Sequence, residues 1–152
     1  MTTIRARCSV GRRGASAGLV FAAILLGGCG SQPYSTVRIS GTVTYDDGSL
    51  IPAKQLFVQF EPQQESIDGR QFPRPGQAQV STADGTFGAP TTYAPGDGVV
   101  AGEHKVVVEA LNEHGFPDYS YFPKEYSDPA TTPLRIEVGP ERTFKLEVPK
   151  PR

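Results

Sequence analysis

Proline and glycine interrupt this chain about once every five residues, with 14 prolines and 17 glycines among 152 residues. Proline removes a backbone donor and fixes φ, while glycine loses the most freedom on ordering. Both therefore weaken a helix interior. Their spacing leaves no room for long helices, and no 3.6-residue apolar period occurs after residue 36. Short extended segments joined by turns are what remains.

Period-two alternation locates those segments. Val37, Ile39, Gly41, Val43 and Tyr45 share one face of a strand, and Arg38, Ser40, Thr42 and Thr44 the other. Asp46-Asp47-Gly48-Ser49 is a turn, with Gly48 supplying a positive φ. Leu56, Val58 and Phe60 alternate with polar neighbours; Phe57 breaks the pattern and is assigned to the opposite face. Ala78, Val80 and Thr82 form a short strand, and residues 83–87 a tight hairpin. His104, Val106, Val108 and Ala110 mark the best strand. Leu134, Ile136 and Val138, then Phe144, Leu146 and Val148, mark the last two. Residues 61–76, 88–98 and 112–133 read as loops. Six or seven short strands separated by turns predict an all-β domain, an antiparallel sandwich.

The amino-terminal segment follows different rules. Arg5, Arg7, Arg12 and Arg13 precede an apolar run from Ala15 to Leu26. A positive stretch followed by about a dozen apolar residues is an export signal, and it is shorter than the roughly 20 residues a spanning helix needs. Arg12-Arg13 is not followed by the remainder of a twin-arginine motif, so the segment reads as an ordinary signal. Its helix is a targeting device and is excluded from the fold.

Leu26-Gly27-Gly28-Cys29 resembles a bacterial lipobox. The resemblance implies that the Cys29 thiolate takes a diacylglyceryl group as a thioether, and that cleavage frees an amino terminus for further acylation. Two or three acyl chains hold a protein stably, where one gives only marginal binding. The expected organisation is therefore a signal peptide over 1–28, a lipidated tether over 29–36 and a β domain over 37–149. The lipid-anchored chain would face the periplasm or the exterior, on either the cell membrane or the outer membrane. Cys8 leaves with the signal, so Cys29 is the only cysteine left, and no intramolecular disulfide or thiolate metal site is expected. Without residues 1–28 the chain keeps 11 basic and 16 acidic residues, a charge of −5. Such a surface has no electrostatic attraction to nucleic-acid phosphates.

Several segments also carry a family likeness. Residues 39–48, Ile-Ser-Gly-Thr-Val-Thr-Tyr-Asp-Asp-Gly, look like the opening strand and turn of carboxypeptidase regulatory-like (transthyretin-like) domains. Residues 81–87 are similar to the hairpin of that family, and residues 101–108 to its Gly-x-aromatic strand, with His104 where an aromatic is usual. Residues 122–134 resemble the closing segment of small lipoproteins of this class common in planctomycetes. The likeness spans about residues 37–149. It implies a seven-stranded prealbumin-like (Ig-like) sandwich and, for most members, no assigned activity.

The sequence shows no pattern on which to base catalysis. His104 and His114 are the only histidines, and no paired metal-ligand spacing accompanies them. His104 keeps register with Val106 and Val108, which reads as a packed strand histidine. The carboxyl end lacks the Tyr-Arg-Gly-Ser sequence of transthyretin-like hydroxyisourate hydrolases, and no Gly-x-Ser-x-Gly elbow occurs. Asp46, Asp47 and Asp84 lie beside turn glycines without the spacing of a calcium loop. No cofactor and no metal are expected.

One segment admits two readings. Phe116 to Tyr126 carries five aromatic residues. Phe122 and Tyr126 are suited to pack this long connection onto the sandwich. Alternatively Tyr119 and Tyr121, with Phe122, offer an aromatic patch to an envelope protein or a glycan. The preferred expectation is a membrane-anchored, non-catalytic, structural or partner-binding domain. The alternative is a small hydrolase or a carbohydrate-acting or carbohydrate-binding domain built on the long loops.

Overall fold

The computed structural model describes Tyr34 to Pro151. The expected signal helix, Leu26, Gly27, Gly28 and Cys29 lie outside the described residues.

Nine strands form, as β1 (Thr36–Val37), β2 (Ser40–Tyr45), β3 (Gln55–Pro62), β4 (Gly76–Val80), β5 (Thr86–Phe87), β6 (Val99–Val100), β7 (Gly102–Leu111), β8 (Arg135–Val138) and β9 (Thr143–Val148). A single 3-10 turn, Lys124–Ser127, is the helical element among the described residues. Seven strands make one sheet in the order β8-β7-β3-β4-β5-β2-β9, and β1 pairs with β6 apart from it. The sheet curls until it is nearly a barrel, open between β8 and β9. The expectation of an all-β domain holds at this level.

The wholly antiparallel arrangement does not. β2 and β9 run parallel over six residue pairs, from Ser40–Thr143 to Tyr45–Val148, so the sheet is mixed. The chain makes this possible by crossing from β8 through residues 139–142 before β9 starts beside Ser40. Close approach at that seam needs glycine at Gly41, where an added Cβ would lie 2.0 Å from the Phe144 carbonyl oxygen.

The alternation read from the sequence is the alternation of burial. Leu56, Val58 and Phe60 of β3, with Val106, Val108 and Ala110 of β7, point inward. They meet Val43, Tyr45, Phe87, Leu146 and Val148 from the other half of the sheet in one core. Phe57 is on the opposite face, half-buried opposite Gln79 and Glu109. β4 and β5 pair at one position, Val80 with Phe87, and the chain beyond β5 returns to β4 at Gln77–Thr91, where each N–H donates to the other's carbonyl at 3.0 and 2.8 Å.

Two boundaries differ from expectation. Tyr34 and Thr36, expected in the tether, are part of the fold: Tyr34 is buried and Thr36 pairs with Val100. Val99–Val100 had no sequence signal of its own, because a two-residue strand is too short to show a period.

Beyond Lys105 the outer edge of β7 is covered by the long connection to β8. Val106 N–H donates to the Leu134 carbonyl at 3.1 Å and Asp118 N–H to that of Ala110 at 2.8 Å. The Thr132 hydroxyl donates to Val106 O at 2.6 Å and the Ser127 hydroxyl to Val108 O at 2.9 Å. An edge that would otherwise invite another strand is thereby occupied.

The strands also give the domain two distinct ends. Pro62 pairs with His104 and Gln55 with Leu111, so connection 63–75 lies at one end of the β3–β7 pair and residues 112–121 at the other. At about 3.3 Å per residue, β3 holds them roughly 23 Å apart.

Candidate functional site

The aromatic segment at the far end is built by side chains that cap their own backbone. The Asn112 carboxamide oxygen accepts the N–H groups of His114 at 2.9 Å and Phe116 at 3.1 Å. Asn112 N–H returns to the Phe116 carbonyl at 2.9 Å, closing a tight loop around Gly115. This holds Phe116 out of the fold, 66% exposed. Asp118 then accepts Ser120 N–H at 3.0 Å and the Ser120 hydroxyl at 2.6 Å. The Ser120 hydroxyl, foremost, holds the Asp118 carboxyl below the usual carboxylate range.

The three expected patch residues part company here. Tyr119 is 48% exposed, and the Lys124 ammonium sits 5.3 Å above its ring. That pair presents an aromatic face with a cation beside it. Tyr121 is half-buried against the core, and its carbonyl accepts the Tyr45 hydroxyl. Phe122 is 1% exposed and belongs to the core. It is corrected from patch to packing: its ring is enclosed in the core cluster, where apolar burial favours it. Tyr126 also packs on the core. Phe116, which was not among the singled-out residues, takes the place that Phe122 vacates. The signal that could have found it is the Asn112-x-x-Gly115 turn immediately before it.

The histidines do not meet. His104 is buried on β7, its Nε2–H donating to the Val100 carbonyl at 2.7 Å, while Nδ1 has no partner. Its ring stands edge-on to Phe60 at 6.4 Å. Burial, opposed in part by the Val100 and Phe60 carbonyls, holds its pKa below 6.5. His114 is exposed beside Glu113 beyond the other end of β7. More than 20 Å, roughly, separates them.

The turn aspartates are engaged by protein. Asp47 accepts from the Ser49 N–H and hydroxyl and from Lys150. Asp84 accepts from the Thr86 N–H and hydroxyl at 3.1 and 2.8 Å. Among the described residues no three His, Cys, Asp or Glu side chains converge as a metal site would require. A shallow groove of about 530 Å³ is lined by Lys54, Gln79, Ser81 and Thr86, and contains no acid–base pair.

Comparison with known proteins finds no family model, no curated protein and no solved structure that matches this chain.

Proposed function

We propose that this chain is a lipid-anchored protein of the bacterial envelope. In this reading its prealbumin-like β-sandwich carries no catalysis and binds a partner through Phe116 and Tyr119. The observation that carries it is positional. Phe116 and Tyr119 are held exposed by capped turns at the end of the sheet opposite Tyr34, where the chain arrives from Cys29. A tethered domain meets partners with its distal end, and aromatic residues dominate binding energy at such contacts. The lipobox pattern supports the anchor. The antiparallel pairing of every neighbouring strand except β2 and β9 supports the sandwich. The wide separation of His104 from His114 weighs against a hydrolase built on that pair.

The experiment compares native acylated protein with a Phe116→Ala/Tyr119→Ala double variant, each used to capture cross-linked envelope components. A component lost about tenfold in the variant, equivalent to 1.4 kcal/mol, bears the reading out. An identical set of components removes the aromatic end as the binding surface. The mass of the amino-terminal peptide tests the anchor separately: a peptide that does not start at an acylated Cys29 overturns it.

A further inference from the structure

Two large apolar side chains stand clear of the fold at the end where the chain enters. Ile67 is 71% exposed and Phe72 66%. Both lie in connection 63–75, which is firmly held. The Asp68 carboxylate accepts Arg70 N–H at 2.9 Å and Gln71 N–H at 2.7 Å. Pro73 is buried beside Phe72. The Tyr34 hydroxyl accepts Ile67 N–H at 3.2 Å and donates to the Gln71 carbonyl at 2.8 Å. The loop therefore holds both apolar groups in water.

Tyr34 stands five residues after Cys29. Five extended residues reach about 17 Å at most. The side chain that braces this loop is thus tied by a short leash to the acylated cysteine. We propose that connection 63–75 is a second membrane contact, which places Ile67 and Phe72 in the interfacial zone of the bilayer that holds the Cys29 lipid. This inference rests on the anchored reading of the chain. Its chemistry is apolar burial. Glu65 and Asp68 offset Arg70 and Arg74, so the loop carries no net charge to seek anionic headgroups. Apolar groups of this size settle about 5–10 Å into the boundary between headgroups and acyl chains. With acyl chains and loop both engaged, the domain stands on that end, and Phe116 and Tyr119 point away from the membrane.

The chain contains no tryptophan, so single substitutions report cleanly. Phe72→Trp and, at the far end, Phe116→Trp exchange one exposed aromatic for another and leave the core intact. Each mature protein is isolated from membranes and its acyl mass verified. It is then placed in phosphatidylcholine vesicles whose chains carry bromine near the headgroup. The expected result is a blue-shifted, strongly quenched Phe72→Trp emission and an unquenched Phe116→Trp, unchanged when anionic lipid is added. Acylated protein with Phe72→Trp unquenched, as a water-exposed or protein-covered loop would give, overturns this inference and leaves the anchor standing. Equal quenching of both reporters overturns it as well. Absence of acyl mass at Cys29 instead overturns the anchored reading itself.

Discussion

The Tyr45 hydroxyl donates to the Tyr121 carbonyl at 2.9 Å, across 76 positions of sequence. Tyr45 ends β2, and Tyr121 lies in the connection that carries the exposed aromatic residues. The ring itself lies under the Lys150 ammonium, 5.5 Å away. One buried side chain thus fastens the candidate binding segment, the first long strand and the carboxyl-terminal segment together.

Tyr45→Phe keeps the ring and removes this bond. An unpaired carbonyl at a half-buried position costs about 1 kcal/mol, and urea unfolding should show a loss of that size. Amide exchange should also quicken in residues 118–122. Burial raises the Tyr45 pKa above 10.0. The folded form therefore retains a proton that the unfolded chain releases, and stability is intact below pH 10. It declines as pH rises through the folded value, and Tyr45→Phe should reduce that alkaline decline.

Asp97 presents the opposite sign. Its carboxylate accepts N–H groups from Thr92 at 2.8 Å, Tyr93 at 3.0 Å and Ala94 at 3.1 Å. Burial alone would raise its pKa, but these donors outweigh it, and the pKa stands below 3.8. The stabilisation is present above that value and is lost as pH falls through the folded pKa. Asp97→Ala strands three donors that solvent reaches in part, and should cost about 1–2 kcal/mol at neutral pH. The difference from wild type should shrink in acid. A difference constant down to pH 2, in denaturant titrations, would contradict this account.

His104 sets stability nearer neutrality. The folded protein keeps the ring neutral, while the unfolded chain takes up a proton below pH 6.5. Stability is therefore full above that value and falls as pH drops toward the folded pKa. Glu137 and Glu61 favour the charged ring only weakly against burial. His104→Phe should flatten the pH dependence of Tm between pH 7 and pH 5. Thermal melts that keep the wild-type slope would show that another group is responsible.

Two glycines should respond differently to alanine. At Gly41 the new methyl would meet the Phe144 carbonyl oxygen at 2.0 Å and the Phe87 ring at 2.8 Å. Main-chain atoms of a parallel ladder cannot yield, so Gly41→Ala should cost about 3 kcal/mol or more. At Gly48 no atom lies within 4 Å, and only its φ of +80° opposes a side chain. Gly48→Ala should cost about 1 kcal/mol. Equal losses in calorimetry would refute the distinction.

Local periodicity made much of this fold legible. β7 could be read residue by residue, because Val106, Val108 and Ala110 face one core and Lys105 and Glu109 face away. The parallel partnership of β2 and β9 could not, because it joins segments about a hundred residues apart and is decided by what remains unpaired once the other strands have formed. Val99 and Val100 were hidden for a related reason: their partners, Thr36 and Val37, lie far back in the chain. At the candidate site, composition revealed the aromatic run but not its division. Tyr119 and Phe122 differ little in apolar surface, and the turn between them decides which meets water. Ile67 and Phe72 lacked any periodic context, and only the bracing by Tyr34 gives their exposure meaning.

The sparse pairing of β4 with β5, at Val80–Phe87, has a mechanical consequence. Closure of the cylinder there depends largely on apolar contacts inside it, since beyond that rung only the Gln77–Thr91 bridge ties β4 to the chain that carries β5. Shrinking Phe87 would let the wall unroll into a ribbon with raw margins, the form in which copies of a chain zip together. Such ribbons find each other readily, so Phe87→Ala should raise light scattering at concentrations at which the wild type stays clear.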